Sequence, residues 1–349
     1  MLRGPRQVGK TTYLYDTIRK LLKNGAHAKD VIYLSLDFFT SRRELRNTLE
    51  NFAQSTSDAG IVYIFLDEIT SLDDWHLELK YMADQRLTEK AAIIVTGSNP
   101  AGMKERSDRI PGRGLEGNEY FIKPLSFRQF AIQSNEYLRR FIVTKNREFH
   151  ASLEKLGEIL PKKKIDLEME RVDLLGAVNA VAPFHSEIGY LFELYLTCGG
   201  YPAVINDYLK KRLDENRDEI DKRAGEVIIK DILDDLDRME RSKTIARDIL
   251  RSVVSRYGSR YSFSNLSREI ERNHPTTINY LECLEGSFLL FVFMAYDFAR
   301  NMIKAKGDKK VYFFDPFVYH AVNGYLEGRE VTELFKEARG NEEIIGKIV

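Results

Sequence analysis

Cysteine is nearly absent from this chain: two residues, Cys198 and Cys283, in 349. They lie far apart and without metal-ligand spacing, which argues against a disulfide framework and fits a reducing cytoplasm. Long apolar runs are missing as well. The most apolar stretch, 288–299, contains Asp297 and is too short to span a bilayer, and no signal peptide opens the chain. Net charge is also lacking, since 53 Lys plus Arg balance 53 Asp plus Glu. No global field therefore draws the chain to nucleic acid or membrane, and any basic surface is local. With 43% hydrophobic residues the chain can fill two or three packed cores. The expectation is a soluble cytoplasmic protein with no membrane partner.

What is present is a phosphate-binding loop. Gly4-Pro5-Arg6-Gln7-Val8-Gly9-Lys10-Thr11 fits G-x-x-x-x-G-K-[ST], with Thr12 following. The glycines let the backbone bend so that successive N–H groups face a polyphosphate. Lys10 then reaches the outer phosphates and the Thr11 hydroxyl ligates Mg²⁺. A helix expected over 11–23 begins under those phosphates, where its positive dipole end stabilises anions. Only Met1, Leu2 and Arg3 precede the loop, fewer than the roughly five or six residues of a typical strand. A sheet without its central strand leaves backbone groups unpaired and a gap in the core. The expectation is that this strand is lacking here and that the natural chain extends further upstream.

Three β-rich runs follow, 31–36, 61–66 and 92–96, separated by helical or turn-forming segments. Together they predict a parallel sheet covered on both faces. The second run ends in Asp67-Glu68. A carboxylate at a strand end can hold Mg²⁺ through water, while its neighbour, aimed differently by the alternation of side chains, polarises the attacking water. This assigns Asp67 to the metal and Glu68 to general base. The third run ends in Thr96-Gly97-Ser98-Asn99 at the ligand-binding edge of such a sheet. Ser98 or Asn99 is thus a candidate for the γ-phosphate or the lytic water, a polar turn being the alternative. Arg106, Arg109 and Arg113 lie in the Gly- and Pro-containing segment beyond. Of these, Arg113 is the candidate to stabilise charge developing on the γ-phosphate.

At this point a family resemblance emerges. The GPRQVGKTT loop, the FLDEI strand end, the VTGSN segment, Pro111-Gly112-Arg113 and the KPLSFRQF segment at 123–130 resemble the archaeal and bacterial AAA-type P-loop ATPases whose C-terminal part is a domain of unknown function. Gly199-Gly200-Tyr201-Pro202 is similar to that family's GGYP element, and Lys310-Val311-Tyr312-Phe313-Phe314-Asp315 to its K-V-Y-F-x-D strand. The resemblance implies ATP rather than GTP, an α/β P-loop NTPase sheet, a helical lid and a winged-helix module. The nuclease-like domain that commonly follows is not carried over, because the sequence stops at Val349.

The organisation expected is an AAA-like domain over 1–130, a helical lid or spacer over 131–240, a winged helix over 241–325 and the start of a further region over 326–349. Leu, Ile and Val recur every three or four positions across the lid, with breaks at Pro161 and Pro183. The lysines at 162–164 read as a solvated loop before they read as a nucleic-acid contact. In the third segment, helices over 246–257, 264–271 and 276–285 precede two apolar strands, with a hairpin tip placed at Lys304, Lys306, Gly307 and Lys309. If the third helix enters a major groove, Arg272, His274, Thr276, Thr277 and Asn279 contact double-stranded DNA while Lys304, Lys306 and Lys309 meet phosphates. Glu282 and Glu285 oppose that attraction, and packing or protein binding is the alternative use of the module.

Two functions remain open on this reading. One is an ATP- and Mg²⁺-dependent hydrolytic switch whose work is done on DNA, a protein partner or another copy of the chain. The other is a DNA-binding regulator in which nucleotide only stabilises the fold. A small-molecule kinase fits less well, because Glu68 beside Asp67 suits activation of water.

Overall fold

The computed structural model describes residues 1–56, 60–84, 90–97, 118–142, 147–160 and 171–339. Contacts gather into two compact units. The first comprises Met1–Lys123, Ile232–Lys243 and Ile278–Leu290, and the second comprises Pro124–Asp231, Thr244–Thr277 and Phe291–Val349. No helix among the described residues is long and apolar enough to cross a membrane.

The first unit is built on five parallel strands: β1 (Leu2–Arg3), β2 (Val31–Ser35), β3 (Val62–Asp67), β4 (Ala91–Gly97) and β5 (Tyr120–Phe121). They run in the order β2-β3-β4-β1-β5. Alternation along β3 fills a core on each face. Ile64 and Leu66 pack with Leu45 and Leu49 of α2 (Arg42–Ser55) and with Trp75, the first residue of α3 (Trp75–Asp84). Phe65, between them, packs on the other face with Leu2 and with Leu14 of α1 (Lys10–Lys23). A strand covered on both sides reads as a continuous apolar run, which is why 61–66 was legible as β without an alternating pattern. The α/β P-loop class expected from the sequence is what the sheet and its flanking helices form.

The sheet does not lack its central strand. β1 occupies the place between β4 and β5, with Leu2 opposite Thr96 and Tyr120, and Arg3 opposite Gly97 and Phe121. Both of its edges are paired. Tyr120 N–H donates to Met1 O at 2.9 Å and Ile122 N–H to Arg3 O at 2.8 Å.

The second half of the chain is helical up to a hairpin. In chain order the helices are α4 (Phe127–Ile142), α5 (Arg147–Ile159), α6 (Arg171–Val181), α7 (His185–Cys198), α8 (Pro202–Asp214), α9 (Lys222–Arg238), α10 (Lys243–Ser255), α11 (Phe263–Glu269) and α12 (His274–Gly286). Strands β6 (Leu290–Asp297) and β7 (Met302–Phe313) then pair as a two-stranded sheet, followed by α13 (Pro316–Glu327) and α14 (Val331–Ala338). An antiparallel bridge links Tyr261, between α10 and α11, to Lys309 of β7. The hairpin tip is Phe298-Ala299-Arg300-Asn301, not the lysine-rich stretch expected from sequence. Gly307 lies within β7 and not in the turn, and a Cβ there would come 3.0 Å from the Ala295 Cβ.

The GGYP and K-V-Y-F-F-D elements meet inside the second unit. Buried Asp315 caps α13, accepting the Phe317 N–H at 2.8 Å, and its other oxygen accepts the Gly200 N–H at 2.7 Å. Both glycines are required by closeness. A Cβ on Gly199, whose φ is +62°, would fall 1.9 Å from Asp315 Oδ1, and one on Gly200 would fall 2.1 Å from Leu125 O. Burial pushes the Asp315 carboxyl up to about 7, against the opposing pull of the Gly200, Phe317 and Val318 N–H groups.

Candidate functional site

The phosphate loop crosses from β1 to α1 in a shape that only its own residues permit. Gly4 passes so near β5 that an added Cβ would lie 2.1 Å from Ile122 O. Gln7 and Gly9 take positive φ, at 63° and 95°, and Gly9 is the residue that hands the chain to the helix. Bare N–H groups of the first helical turn therefore face the loop, with no acidic residue in that turn to compete for them. Lys10 is buried and folds back over the loop, its ammonium donating to Gly4 O at 3.1 Å and Pro5 O at 2.8 Å. The same nitrogen stands 3.9 Å from Glu68 Oε1.

The acidic side of the site sits at the carboxyl end of β3. Asp67 is buried and accepts three hydroxyl protons. Thr11 Oγ1 donates to Oδ2 at 2.7 Å, Tyr33 OH donates to the same oxygen at 2.8 Å, and Thr96 Oγ1 donates to Oδ1. Parallel pairing explains the convergence, because Ser35 of β2 is opposite Asp67 and Thr96 of β4 is one position beyond the partner of Leu66. A carboxylate offers about four lone-pair directions, so three are taken by protein hydroxyls and one remains. Burial, followed by hydrogen bonds to Tyr15 and Asp67, holds the Tyr33 phenol well above its ordinary pKa. Tyr33 therefore stays a donor.

Glu68 follows with a left-handed backbone (φ 51°), which turns its side chain away from the line of the strand. Its N–H donates to Thr96 Oγ1 at 3.2 Å, so one threonine fixes both acids. Beside the loop, a cleft of about 400 Å³ is lined by Leu2, Val8, Gly9, Tyr13, Tyr120 and Ile122. Sequence reasoning missed Tyr33, Thr96 and the two tyrosines of this cleft. For Tyr33 and Thr96 the available signal was a hydroxyl side chain within the largely apolar runs of β2 and β4.

The donors present fit a magnesium ion. Among the described residues no three His, Cys, Asp or Glu side chains form a protein-only cage. Mg²⁺ in phosphate sites needs none, since it takes most of its ligands from phosphate and water around one or two protein oxygens. Thr11 and Asp67 supply that pair.

Several candidates fall elsewhere. Ser98, Asn99, Arg106, Arg109, Arg113 and the lysines at 162–164 lie outside the described residues, as does the side chain of Lys306. Arg272, His274 and Asn279 are exposed at the start of α12, and Thr276 is half-buried. Thr277 is not a contact residue, because it is fully buried and its hydroxyl bonds back to Asn273 O at 3.2 Å. Lys309 is not a phosphate contact either. It is buried, its ammonium sits 5.0 Å from the centre of the Phe263 ring, and it donates to Gly307 O at 2.8 Å.

Comparison with known proteins agrees with the loop. Residues 1–131 match an AAA domain family, and residues 189–328 match a family described as a domain of unknown function, DUF8612. Similar solved structures include AMPPCP-bound DnaA from Aquifex aeolicus, 18% identical over 81% of this chain and 80% of that chain, with a TM-score of 0.31. A structure described as a DNA replication initiation factor is 20% identical over the same shares, also at 0.31. Likenesses that loose identify neither a shared arrangement nor a shared partner. Among curated proteins nothing matches. The chain thus carries an AAA-type P-loop domain followed by a domain of unknown function, as the resemblance implied.

Proposed function

From an AAA-type domain with this loop, we propose that the protein is an ATP-hydrolysing switch. The observation that carries the reading is the convergence of Lys10, Thr11, Asp67 and Glu68 at one sheet edge, over the open N-terminus of α1. In this account the loop N–H groups from Gly4 to Thr12 wrap the phosphates, and Lys10 exchanges the Gly4 and Pro5 carbonyls for phosphate oxygens. The apolar cleft beside Gly9 takes the base, with Tyr13 and Tyr120 on its walls.

Thr11 and Asp67 would hold Mg²⁺, which neutralises charge on the outer phosphates when bound. Thr11, Tyr33 and Thr96 leave one lone-pair direction of Asp67 with which it would hold the ion, directly or through water. Glu68 orients and deprotonates the attacking water, with Thr96 setting its backbone. Ser98 at the γ-phosphate and Arg113 on the transition-state charge complete the assignment. The two cysteines, far apart in the sequence and without metal-ligand spacing, suit a reducing compartment, the cytoplasm.

Hydrolysis would be coupled to a partner through the C-terminal part. Three helices, the Tyr261–Lys309 bridge and the β6–β7 hairpin have the element order of a winged helix. Exposed Arg272, His274 and Asn279, with Thr276 and Lys304, are its remaining candidates for duplex DNA. Phosphate release by the intact protein, measured with and without duplex DNA, tests the coupling. Stimulation by DNA supports it. Nucleotide binding with no turnover under either condition replaces it with a regulator in which nucleotide is structural.

A further inference from the structure

The β6–β7 hairpin combines two properties that the chain as a whole does not share. Between residues 290 and 314, five Lys or Arg stand against two Asp, whereas the whole chain is neutral with 53 of each sign. Seven of those 25 residues are aromatic, against 11% overall. A locally basic, aromatic hairpin in a neutral protein needs an explanation beyond folding.

Burial divides its residues by face. Val311 and Phe313 are buried, and Phe313 stacks on Tyr257 with ring centres 5.4 Å apart. The alternate positions face away from that core. There Phe291 stacks on Phe314 at 4.4 Å and Phe293 meets Tyr312 edge-on at 5.6 Å, with the Lys310 ammonium 3.5 Å from the Tyr312 hydroxyl. Phe293 is 56% exposed and Phe298, at the tip, is 88% exposed. The tip is a built turn: Asp297 Oδ1 accepts the N–H groups of Ala299 and Arg300 at 3.1 and 3.2 Å, and Tyr296 OH donates to Asn301 Oδ1 at 2.6 Å. Phe298 is thereby presented to solvent from an ordered loop, with Arg300 exposed two residues on.

Rings held ready and bordered by cations match the chemistry of unpaired nucleotides, in which each base offers a π face and each phosphate a negative charge. A duplex conceals its base faces, so it meets the cations and leaves the rings unused. An apolar protein partner uses the rings and offers no anion to Arg300 and Lys310, whereas Lys304 already stands 3.4 Å from Asp297. We propose that the outer face and tip of this hairpin bind single-stranded nucleic acid, stacking bases on Phe293 and Phe298 and meeting phosphates with Arg300, Lys304 and Lys310. The proposal does not depend on the nucleotide site, and loss of ATP turnover leaves it standing.

The test is fluorescence anisotropy on the full chain with a labelled oligothymidylate of about 20 nucleotides, a site-size range suited to stacking grooves. A duplex of the same length and phosphatidylserine-containing vesicles serve as comparators. The single strand is expected to bind more tightly than the duplex, with affinity falling as salt rises. Phe298→Ala and Phe293→Ala are each expected to weaken binding about tenfold, and Phe298→Trp to retain it. Because Phe298 is almost fully exposed, its replacement leaves the far-ultraviolet circular dichroism unchanged, and lost binding cannot be ascribed to unfolding. Failure to bind the single strand, equal affinity for the duplex, or indifference to both ring substitutions overturns the proposal. So does vesicle binding that the oligonucleotide does not displace.

Discussion

The Thr11 hydroxyl donates to Asp67 Oδ2 across 2.7 Å, tying the first turn of α1 to the end of β3 over 56 residues of sequence. That bond holds in place the two oxygens proposed to bind Mg²⁺, and Tyr33 and Thr96 hold the same carboxylate from two further strands. Preorganised donors of this kind set how a cation is bound before it arrives.

Tyr33→Phe removes one of the three donors to Asp67, together with the hydroxyl's bond to Tyr15. We expect the Mg²⁺ concentration needed for tight binding of a fluorescent ATP analogue to rise about tenfold, the low end of the scale for one hydrogen bond to a charged group. Affinity without metal should be unchanged. A Mg²⁺ dependence identical to that of the unsubstituted protein removes Tyr33 from the account.

The two loop glycines differ in what constrains them. Gly4→Ala drives a Cβ against the Ile122 carbonyl, whereas Gly9 has nothing within 4 Å of an added Cβ and only its φ of 95° to protect. Gly9→Ala should therefore cost about 1–2 kcal/mol of backbone strain. Gly4→Ala should cost more and abolish nucleotide binding, because β5 must move away from β1. Thermal unfolding with and without nucleotide separates the two, and equal losses contradict the argument.

In the second unit, two buried groups titrate in opposite senses. The Asp315 carboxyl is pushed up to about 7 from 3.8, so the folded state holds a proton that the unfolded state has released. Its contribution is present below pH 3.8 and is lost as pH rises through 7. Burial lowers His320 to about 4 from 6.5. Its contribution is present above pH 6.5 and is lost as pH falls through 4. Between pH 4 and 6.5 the slopes oppose each other at roughly 1.4 kcal/mol per pH unit each. Asp315→Asn should lower stability by about 1–3 kcal/mol, since an amide accepts on one oxygen only. It should also expose the His320 slope, so that stability falls on acidification. Denaturant melts across this range check it, and a variant with the same flat profile as the parent refutes it.

Lys309 and Lys304 should behave differently although both lie on β7. Lys309→Met is expected to destabilise the protein by about 1 kcal/mol, through loss of the Phe263 contact and the Gly307 hydrogen bond, and to leave nucleic-acid affinity intact. Lys304→Met should do the reverse, because its ammonium is half-exposed beside Asp297. Paired melts and binding titrations decide.

Much of the phosphate site was legible because its chemistry is local: the Gly4–Thr11 loop and the Asp67-Glu68 pair are each contiguous. Tyr33 and Thr96 were not, because their part depends on the register of three strands, which no single stretch of sequence states. The short run before the loop did not read as a strand, because its place in the sheet rests on pairing with β4 and β5, which lie far away in the sequence. Gly307 invited a turn, yet the turn formed at Asp297, whose carboxylate caps two successive N–H groups. The K-V-Y-F-F-D strand and the GGYP element were recognised by resemblance alone. Their physical reason, a buried carboxylate gripping a glycine N–H 115 residues away, needed the fold.

The most direct test of the central claim is to measure ATP binding and phosphate release side by side in the unsubstituted protein, Lys10→Ala and Glu68→Gln. The account predicts turnover by the parent, loss of both properties in Lys10→Ala, and retained Mg²⁺-dependent binding without turnover in Glu68→Gln. Turnover by Glu68→Gln at the parent's rate would contradict it.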